Sequence, residues 1–174
     1  MTIQIIKQKN GELREMLCPD KRDSFSKENR FRIVAALDNI GDTALGMRHY
    51  EEKGIGQELE EKYIKIFGLL QSIYLQQDSI RELYKLIIGS WDKPDESSAW
   101  KYLRDVRNCV AGYPAERGGA ISRMTLSDDG FKIGYWDKSS VDNFPFEYVP
   151  LKERYEEYIQ EVDVMLERLK KAVG

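Results

Sequence analysis

The sequence predicts a mainly all-α protein, a four-helix bundle with a β-hairpin inserted between helices 3 and 4. First, apolar residues recur at spacings of three and four along four segments, which places them on one face of a helix in each segment. Second, two short segments with strand character flank one turn-forming segment, between the third and fourth helical segments. Third, a length of 174 residues with 41% apolar and 33% charged residues indicates one globular domain over residues 1–174.

The N-terminal arm, residues 1–23, has no pattern that assigns it one definite structure. Ile3, Ile5 and Ile6 favour a short strand or an arm that docks onto the bundle. The stretch that follows them resembles a connection, so the regular structure is expected to begin after it.

Helices 1 to 3 are predicted within residues 26–112, and the first of them covers residues 26–52. Its apolar face consists of Ile33, Leu37, Ile40, Ala44 and Met47. Gly41 and Gly46 lie inside the pattern, and each costs up to about 1 kcal/mol of helix stability relative to alanine. They indicate either a close contact with another helix or a kink.

The second helix, residues 57–88, has the most regular pattern in the chain and would be about 48 Å long. Its face consists of Leu59, Tyr63, Ile66, Leu70, Ile73, Gln77, Ile80, Tyr84 and Ile87. Gln77 is the polar interruption of this face, and it lies in the run Gln76–Asp78. Because a buried amide needs hydrogen-bond partners, this run is predicted to be either part of a binding site or, in the favoured interpretation, a polar clasp between helices.

The third helix brings an arginine onto an apolar face formed by Trp100, Leu103, Val106 and Val110. Arg107 lies on this face and Asn108 follows it. Gly112 and Pro114 then end the helix, since glycine accepts the left-handed conformation and proline disfavours helix before it.

Residues 120–136 are predicted to form the hairpin, because Ala120–Leu126 and Phe131–Trp136 flank the turn-forming run Ser127–Gly130. The last helix is predicted over residues 150–172, beginning at a proline that suits a first turn. Its apolar face consists of Leu151, Tyr155, Tyr158, Val162, Met165 and Leu169.

Composition excludes several classes of function. The net charge of −3 argues against broad nonspecific binding to nucleic acid. No apolar run is long enough to span a membrane, and Met1–Asn10 lacks the cleavage site of a signal peptide, so a cytoplasmic location is expected. Two cysteines and one histidine, His49, form no metal-ligand pattern, so neither metal nor cofactor is expected.

Arg107 and Asn108 admit two interpretations. In the functional one, an arginine on an inner helix face binds an anionic ligand, because an unpartnered charge there is costly. In the structural one, Arg107 complements the helix dipole, worth typically about 0.3–1 kcal/mol, and Asn108 bonds loop backbone. Asp78 would then be an internal ion-pair partner of Arg107 if the second and third helices are antiparallel. Arg104 is assigned to the polar clasp with Gln76, Gln77 and Asp78.

The stretch Arg107–Pro114, read RNCVAGYP, resembles the motif of HEPN-type helical domains, in which an Arg and a following polar residue precede a His. It is similar to an RN-x-x-x-G-H-P motif in a group of uncharacterised bacterial proteins that we associate with this superfamily. The upstream run Phe67–Asp78, read FGLLQSIYLQQD, also resembles a helix of that group. The resemblance covers residues 26–136.

The resemblance implies a helical bundle that dimerises and, where such domains are active, cuts RNA without a metal by means of Arg and His from two subunits. Arg107 and Asn108 match the motif, and Tyr113 stands where the His is expected. Because the usual pKa of tyrosine is about 10 and that of histidine about 6.5, Tyr113 is a poor general base.

The predicted function is therefore a HEPN-like binding or dimerisation module with a degenerate active site. The resemblance implies a homodimer that binds RNA or a nucleotide, in a bacterial stress or defence system with a partner protein still to be named. The alternative is a metal-independent endoribonuclease that uses Arg107, Asn108 and Tyr113 at a dimer interface. A third interpretation, a purely structural scaffold, needs only the apolar faces.

Overall fold

Five α-helices and three β-strands make up the part of the chain that the computed structural model describes, residues 2–17, 25–112, 120–127, 130–137 and 146–174. The helices are α1 (Ile3–Met16), α2 (Lys27–Lys53), α3 (Leu59–Leu83), α4 (Ala99–Arg107) and α5 (Leu151–Val173). The strands are β1 (Ala120–Ser127), β2 (Gly130–Asp137) and β3 (Phe146–Tyr148), and π-helical turns at Tyr84–Ile88 and Asn108–Gly112 extend α3 and α4. The mainly helical class is confirmed. Within these described ranges, no helix has the length and apolar character needed to cross a membrane.

Helices α2 to α5 correspond to the four predicted helices, and their predicted apolar faces form most of the core. Every predicted face residue of α2 is buried. In α3 the predicted face is buried from Ile66 to Tyr84, whereas Leu59 at its start is 56% exposed. A Cβ at Gly46 would lie 3.1 Å from Ser72 Oγ on α3, so this glycine marks a close contact between helices.

Helix α1 is the fifth helix, and the prediction of a short strand there is wrong. Its buried residues recur at helical spacing: Ile3, Ile6, Asn10 and Leu13. The segment does dock, since α1 packs against α2 and α5. Asn10 takes a position where the pattern expects an apolar residue, and its Nδ2 donates to the Leu37 carbonyl oxygen at 3.0 Å. The polar residue conceals the helical pattern, because its burial depends on a partner in α2.

The predicted hairpin is confirmed, with β1 one residue longer at the turn and β2 one residue longer at each end than expected. Strands β1 and β2 pair antiparallel from Ala120 opposite Asp137 to Ser127 opposite Gly130. The structure adds β3, a short edge strand that pairs antiparallel with β2. Met124, Phe131 and Ile133 join the helical core. This packing against the helices stabilises the hairpin, which would be only marginally stable in water by itself.

Helix α4 is only nine residues long, and its N-terminus is fixed by two separate groups. The side chain of Ser98 accepts a hydrogen bond from the Lys101 amide at 3.1 Å, a normal N-cap. The Glu161 carboxylate of α5 accepts from the amides of Ala99 and Trp100, each at 2.8 Å. These bonds satisfy donors that a helix N-terminus otherwise leaves without partners, and they join the fourth helix to the last.

Candidate functional site

Arg104 and Arg107 of α4 face α3, the helix that carries the predicted clasp residues Gln76, Gln77 and Asp78. The two helices run antiparallel, because Gln77 contacts the start of α4 and Gln71 contacts its end. Residues three apart on a helix are neighbours on one face, so both arginines reach the same side of α3. The structure therefore brings Gln77, Asp78, Arg104 and the Arg107–Asn108 pair together where α3 packs against α4.

Arg104 is held by an ion pair and a partly buried hydrogen bond. Its Nη2 lies 2.8 Å from Asp78 Oδ1, and its Nη1 donates to Gln77 Oε1 at 3.3 Å. Gln77 is fully buried, and its Nε2 donates to the Trp100 carbonyl oxygen at 2.9 Å. Arg81 adds a second cation 3.2 Å from the same Asp78 oxygen. Arg104 therefore has a carboxylate as its ion-pair partner, which it shares with Arg81.

Gln76 extends the polar contacts to two further helices. Its Nε2 donates to Thr43 Oγ1 of α2 at 3.3 Å, and its Oε1 accepts from the Tyr158 hydroxyl of α5 at 3.0 Å. Gln76 and Tyr158 are both fully buried. Burial raises the pKa of Tyr158 well above its usual value, so the hydroxyl remains protonated and able to donate. This part of the cluster connects the interior of the bundle.

Arg107 has a different set of partners. Its Nε and Nη2 donate to Gln71 Oε1 at 3.2 and 2.9 Å, and its Nη1 donates to Asn108 Oδ1 at 3.3 Å. Among the described residues, no carboxylate lies within ion-pair distance of this guanidinium. The predicted pairing of Arg107 with Asp78 is therefore wrong. The antiparallel helices place Asp78 beside Arg104, and Gln71, two turns away along α3, beside Arg107.

The ring of Tyr74 on α3 is contacted by the guanidinium groups of both arginines. The Cζ atoms of Arg104 and Arg107 lie 4.3 and 4.0 Å from the centroid of its ring, close enough for cation–π attraction. Neither Tyr74 nor Gln71 was predicted as a site residue, although both lie in the motif-like run of α3. The available signal was their helical spacing, since residues 71, 74, 77 and 78 share the side of α3 that faces α4.

The remaining predicted residues have simpler positions. Asn108 begins the π-helical turn after α4, and the next carbonyl, that of Cys109, accepts from Ser122 Oγ of β1 at 2.8 Å. The hairpin therefore contacts the π-helical turn that extends α4. Tyr113 lies outside the described residues. His49 is exposed on α2, in agreement with its interpretation as a surface residue.

Comparisons with protein-family models, with characterised proteins and with solved structures return no match. Among the described residues, no group of three or more His, Cys, Asp and Glu side chains is arranged to hold a metal ion.

The chemistry of the cluster rests on Arg107, whose guanidinium is partly exposed and contacts only neutral acceptors in the described part of the chain. A guanidinium in this state suits the planar, two-oxygen geometry of a phosphate or carboxylate.

Proposed function

We propose that this protein is a HEPN-like binding module in which Arg107 and Asn108 bind a phosphate group of RNA or of a nucleotide. The single observation that carries the proposal is the difference in charge balance at α4. Arg104 is ion-paired with Asp78, whereas Arg107 is partly exposed and held by the amide oxygens of Gln71 and Asn108. Those neutral acceptors orient the guanidinium without cancelling its charge, which is the arrangement that an incoming anion requires.

The site chemistry supports binding more than cleavage. Attack by a ribose hydroxyl needs a base that accepts a proton near neutral pH. The only histidine in the sequence, His49, is exposed on α2, while Arg107 lies on α4. Tyr113 would serve as a base only with a pKa several units below its usual value of about 10.

Binding is tested by fluorescence anisotropy with a labelled single-stranded RNA and with a labelled nucleotide. Arg107→Gln is expected to weaken binding about tenfold or more, because a charge-assisted hydrogen bond contributes about 1.5–3 kcal/mol. Arg123→Gln is the matched control, since Arg123 is an exposed arginine on β1 and the change removes the same charge. Less than about a twofold effect is expected there.

Two results contradict the proposal. Equal losses in Arg107→Gln and Arg123→Gln would mean that general electrostatic attraction accounts for the binding. No measurable binding of RNA or nucleotide by the unchanged protein, at low salt and at about millimolar ligand, would remove the proposal altogether.

The competing ribonuclease hypothesis has its own test. Cleavage of RNA by the unchanged protein is expected to be below detection, and Tyr113→His is expected to raise the rate about 10²-fold or more, the usual contribution of a positioned general base. Metal-independent cleavage by the unchanged protein, abolished both by Arg107→Ala and by Tyr113→Phe, would establish the ribonuclease instead.

Dimerisation is the second part of the proposal, and the outer face of α3 supports it. Ile64, Phe67 and Leu75 are 74%, 37% and 42% exposed, and with Gln71 they share one face by helical spacing. We call these four residues the α3 outer face. Because Gln71 holds Arg107, a second copy seated here would place two phosphate sites near the interface. A role in bacterial stress or defence is the setting that the resemblance implies, and the cytoplasm is the location that the composition favours.

Light scattering after size exclusion tests the dimer, which is expected at about tens of micromolar protein. Ile64→Glu should give a monomer, since burying an unpaired charge in an interface is costly. Val164→Glu is the matched control on α5, where Val164 is 68% exposed, and it should leave the dimer intact. A monomeric unchanged protein, or a dimer unaffected by Ile64→Glu, would contradict this part of the proposal.

A further inference from the structure

A cavity of about 500 Å³ lies away from Arg104 and Arg107, between the end of α2, the start of α5 and the sheet. Thr2, at the start of α1, also contributes to its wall, and none of the lining residues belongs to α3 or α4. The volume falls within the range of about 300–1,000 Å³ that small-molecule sites usually have. The cavity is thus large enough for a small organic ligand and is separate from the proposed phosphate site.

Four aromatic side chains, one from each of α2, β2, β3 and α5, form much of the cavity wall: Tyr50, Phe131, Tyr148 and Tyr155. The rings of Tyr50 and Tyr155 meet edge to face at 5.1 Å. Phe131 and Tyr155 are buried, whereas Tyr148 is 50% exposed and forms a part of the wall that solvent reaches. Aromatic walls of this kind bind apolar groups, and their ring faces also attract cations.

The charged groups on the wall are mostly acidic. Glu51 and Glu156 contribute two carboxylates, and the exposed Lys152 contributes one cation. Glu51 Oε1 accepts hydrogen bonds from the Ile3 amide at 2.7 Å and from the Tyr155 hydroxyl at 2.9 Å. These bonds fix the carboxylate beside the aromatic wall. Its other oxygen makes no hydrogen bond with any residue that the structure describes.

Other electrostatic contributions leave the carboxylates dominant. Helix α2 ends at the cavity with the negative end of its dipole, and α5 begins there with the positive end, so the two largely offset each other. Burial, and then the nearby carboxylates of Glu153 and Glu156, raise the pKa of Tyr50 to about 12. Its hydroxyl is therefore neutral at physiological pH and adds no negative charge.

We propose that this cavity binds an amphipathic organic cation. Its apolar body would lie against the aromatic wall and its ammonium group against Glu51. Ring faces and a fixed carboxylate together suit an ammonium group, and the buried apolar wall suits a hydrocarbon chain. An anionic amphiphile would meet two carboxylates and one lysine, and a neutral one would gain only from the apolar wall.

Isothermal titration calorimetry with octyltrimethylammonium, kept below the concentration at which it forms micelles, tests the class of ligand. Octanol and octanoate are the matched neutral and anionic probes with the same chain length. The cation is expected to bind about tenfold or more tightly than octanoate, with octanol between them. Octanoate binding as tightly as the cation, or no heat of binding with the cation, would overturn the proposal.

Variants locate the site. Glu51→Gln keeps an acceptor for the Ile3 amide and the Tyr155 hydroxyl but removes the charge, so it should weaken cation binding about tenfold and leave octanol binding unchanged. Glu52→Gln is the control, because Glu52 is the next residue, is exposed and does not line the cavity. Tyr148→Ala, at a half-exposed position of the wall, should weaken binding of both probes. Equal effects of Glu51→Gln and Glu52→Gln, or none from Tyr148→Ala, would place the cation elsewhere.

Discussion

Arg104 and Arg107 lie one turn apart on the same face of α4, and they share more than their position. Each donates to the side-chain oxygen of a glutamine on α3, and each guanidinium approaches the ring of Tyr74. They differ in their second partner, which is a carboxylate for Arg104 and a neutral amide for Arg107. Asp78 pairs with Arg104, while the second acceptor at Arg107 is the amide of Asn108.

Under the proposed function, this difference separates a structural arginine, Arg104, from an anion-binding one, Arg107. An arginine with a carboxylate partner, such as Arg104, uses its charge in an ion pair that joins two helices. An arginine fixed by neutral acceptors keeps its charge and is already oriented for an anion. The charge of the partners, and not the position on the helix, therefore distinguishes the two roles.

The largest expected effect compares the two glutamines. Gln77→Ala should lower the free energy of unfolding by about 3 kcal/mol, because it leaves a cavity and removes the buried partner of Arg104 and of the Trp100 carbonyl. Gln71→Ala, the same change at a partly exposed position, should cost less than about 1 kcal/mol. Urea unfolding followed by circular dichroism measures both. Equal costs would show that the two ends of the cluster do the same structural work.

The arginines should follow the same order with a smaller difference. Arg104→Ala is expected to cost about 2 kcal/mol of unfolding free energy, since Asp78 and Gln77 lose a partner in a partly buried setting. Arg107→Ala should cost less than about 1 kcal/mol, because its acceptors are neutral amides at the edge of the bundle. A greater loss in Arg107→Ala than in Arg104→Ala would reverse the assignment of roles.

Salt dependence gives a finer test. If Arg107 contacts a phosphate, Arg107→Gln should reduce the slope of log affinity for single-stranded RNA against log salt concentration by about 0.7, the contribution of one contact. Arg104→Gln, measured under conditions where the variant is folded, should leave the slope unchanged, because Arg104 is already paired with Asp78. Equal changes in slope would mean that both arginines face the ligand.

The smallest expected effect on stability appears at acidic pH, where the partly exposed Glu12 of α1 is compared with the buried Gln77. Hydrogen bonds from Lys170 and Gln8 lower the pKa of Glu12 below its usual value, so its contribution to stability is complete above about pH 4.5 and is lost as the pH falls through the lowered pKa. The difference between Glu12→Gln and the unchanged protein should therefore disappear in acid. The cost of Gln77→Ala, which involves a neutral amide, should persist there in urea unfolding. A Glu12→Gln difference that survives at low pH would exclude this ionic origin.

Much of the fold could be predicted from the sequence, because burial in α2 to α5 follows a regular spacing of apolar residues. The hairpin was equally predictable, since a turn-forming run separates two segments with strand character. Helix α1 was not, because Asn10 breaks its pattern with an amide whose partner, the Leu37 carbonyl, lies in another helix. Strand β3 has three exposed residues and no periodic signal of its own.

The membership of the polar cluster was predictable in part, and its pairing was not. Arg104, Arg107, Gln77 and Asp78 do lie together, because polar residues on apolar helix faces must find partners, whereas Gln76 bonds to Thr43 and Tyr158 instead. Which partner each one finds depends on the axial register of α3 against α4, and helical periodicity holds no information about register. For the same reason Gln71 and Tyr74, which contact Arg107, were not singled out.

The carboxylate of Glu161 has a consequence for the order in which the protein acquires its structure during synthesis. Helix α4 has nine residues, fewer than the roughly 12–15 that an isolated helix needs in water, so it depends on its neighbours. Two of its first amide groups are held by an acid that the ribosome adds much later, in the last helix. At about 5–20 residues per second, several seconds separate the emergence of Arg107 from that of Glu161. The segment that presents Arg107 is therefore among the last parts of the nascent chain to become rigid.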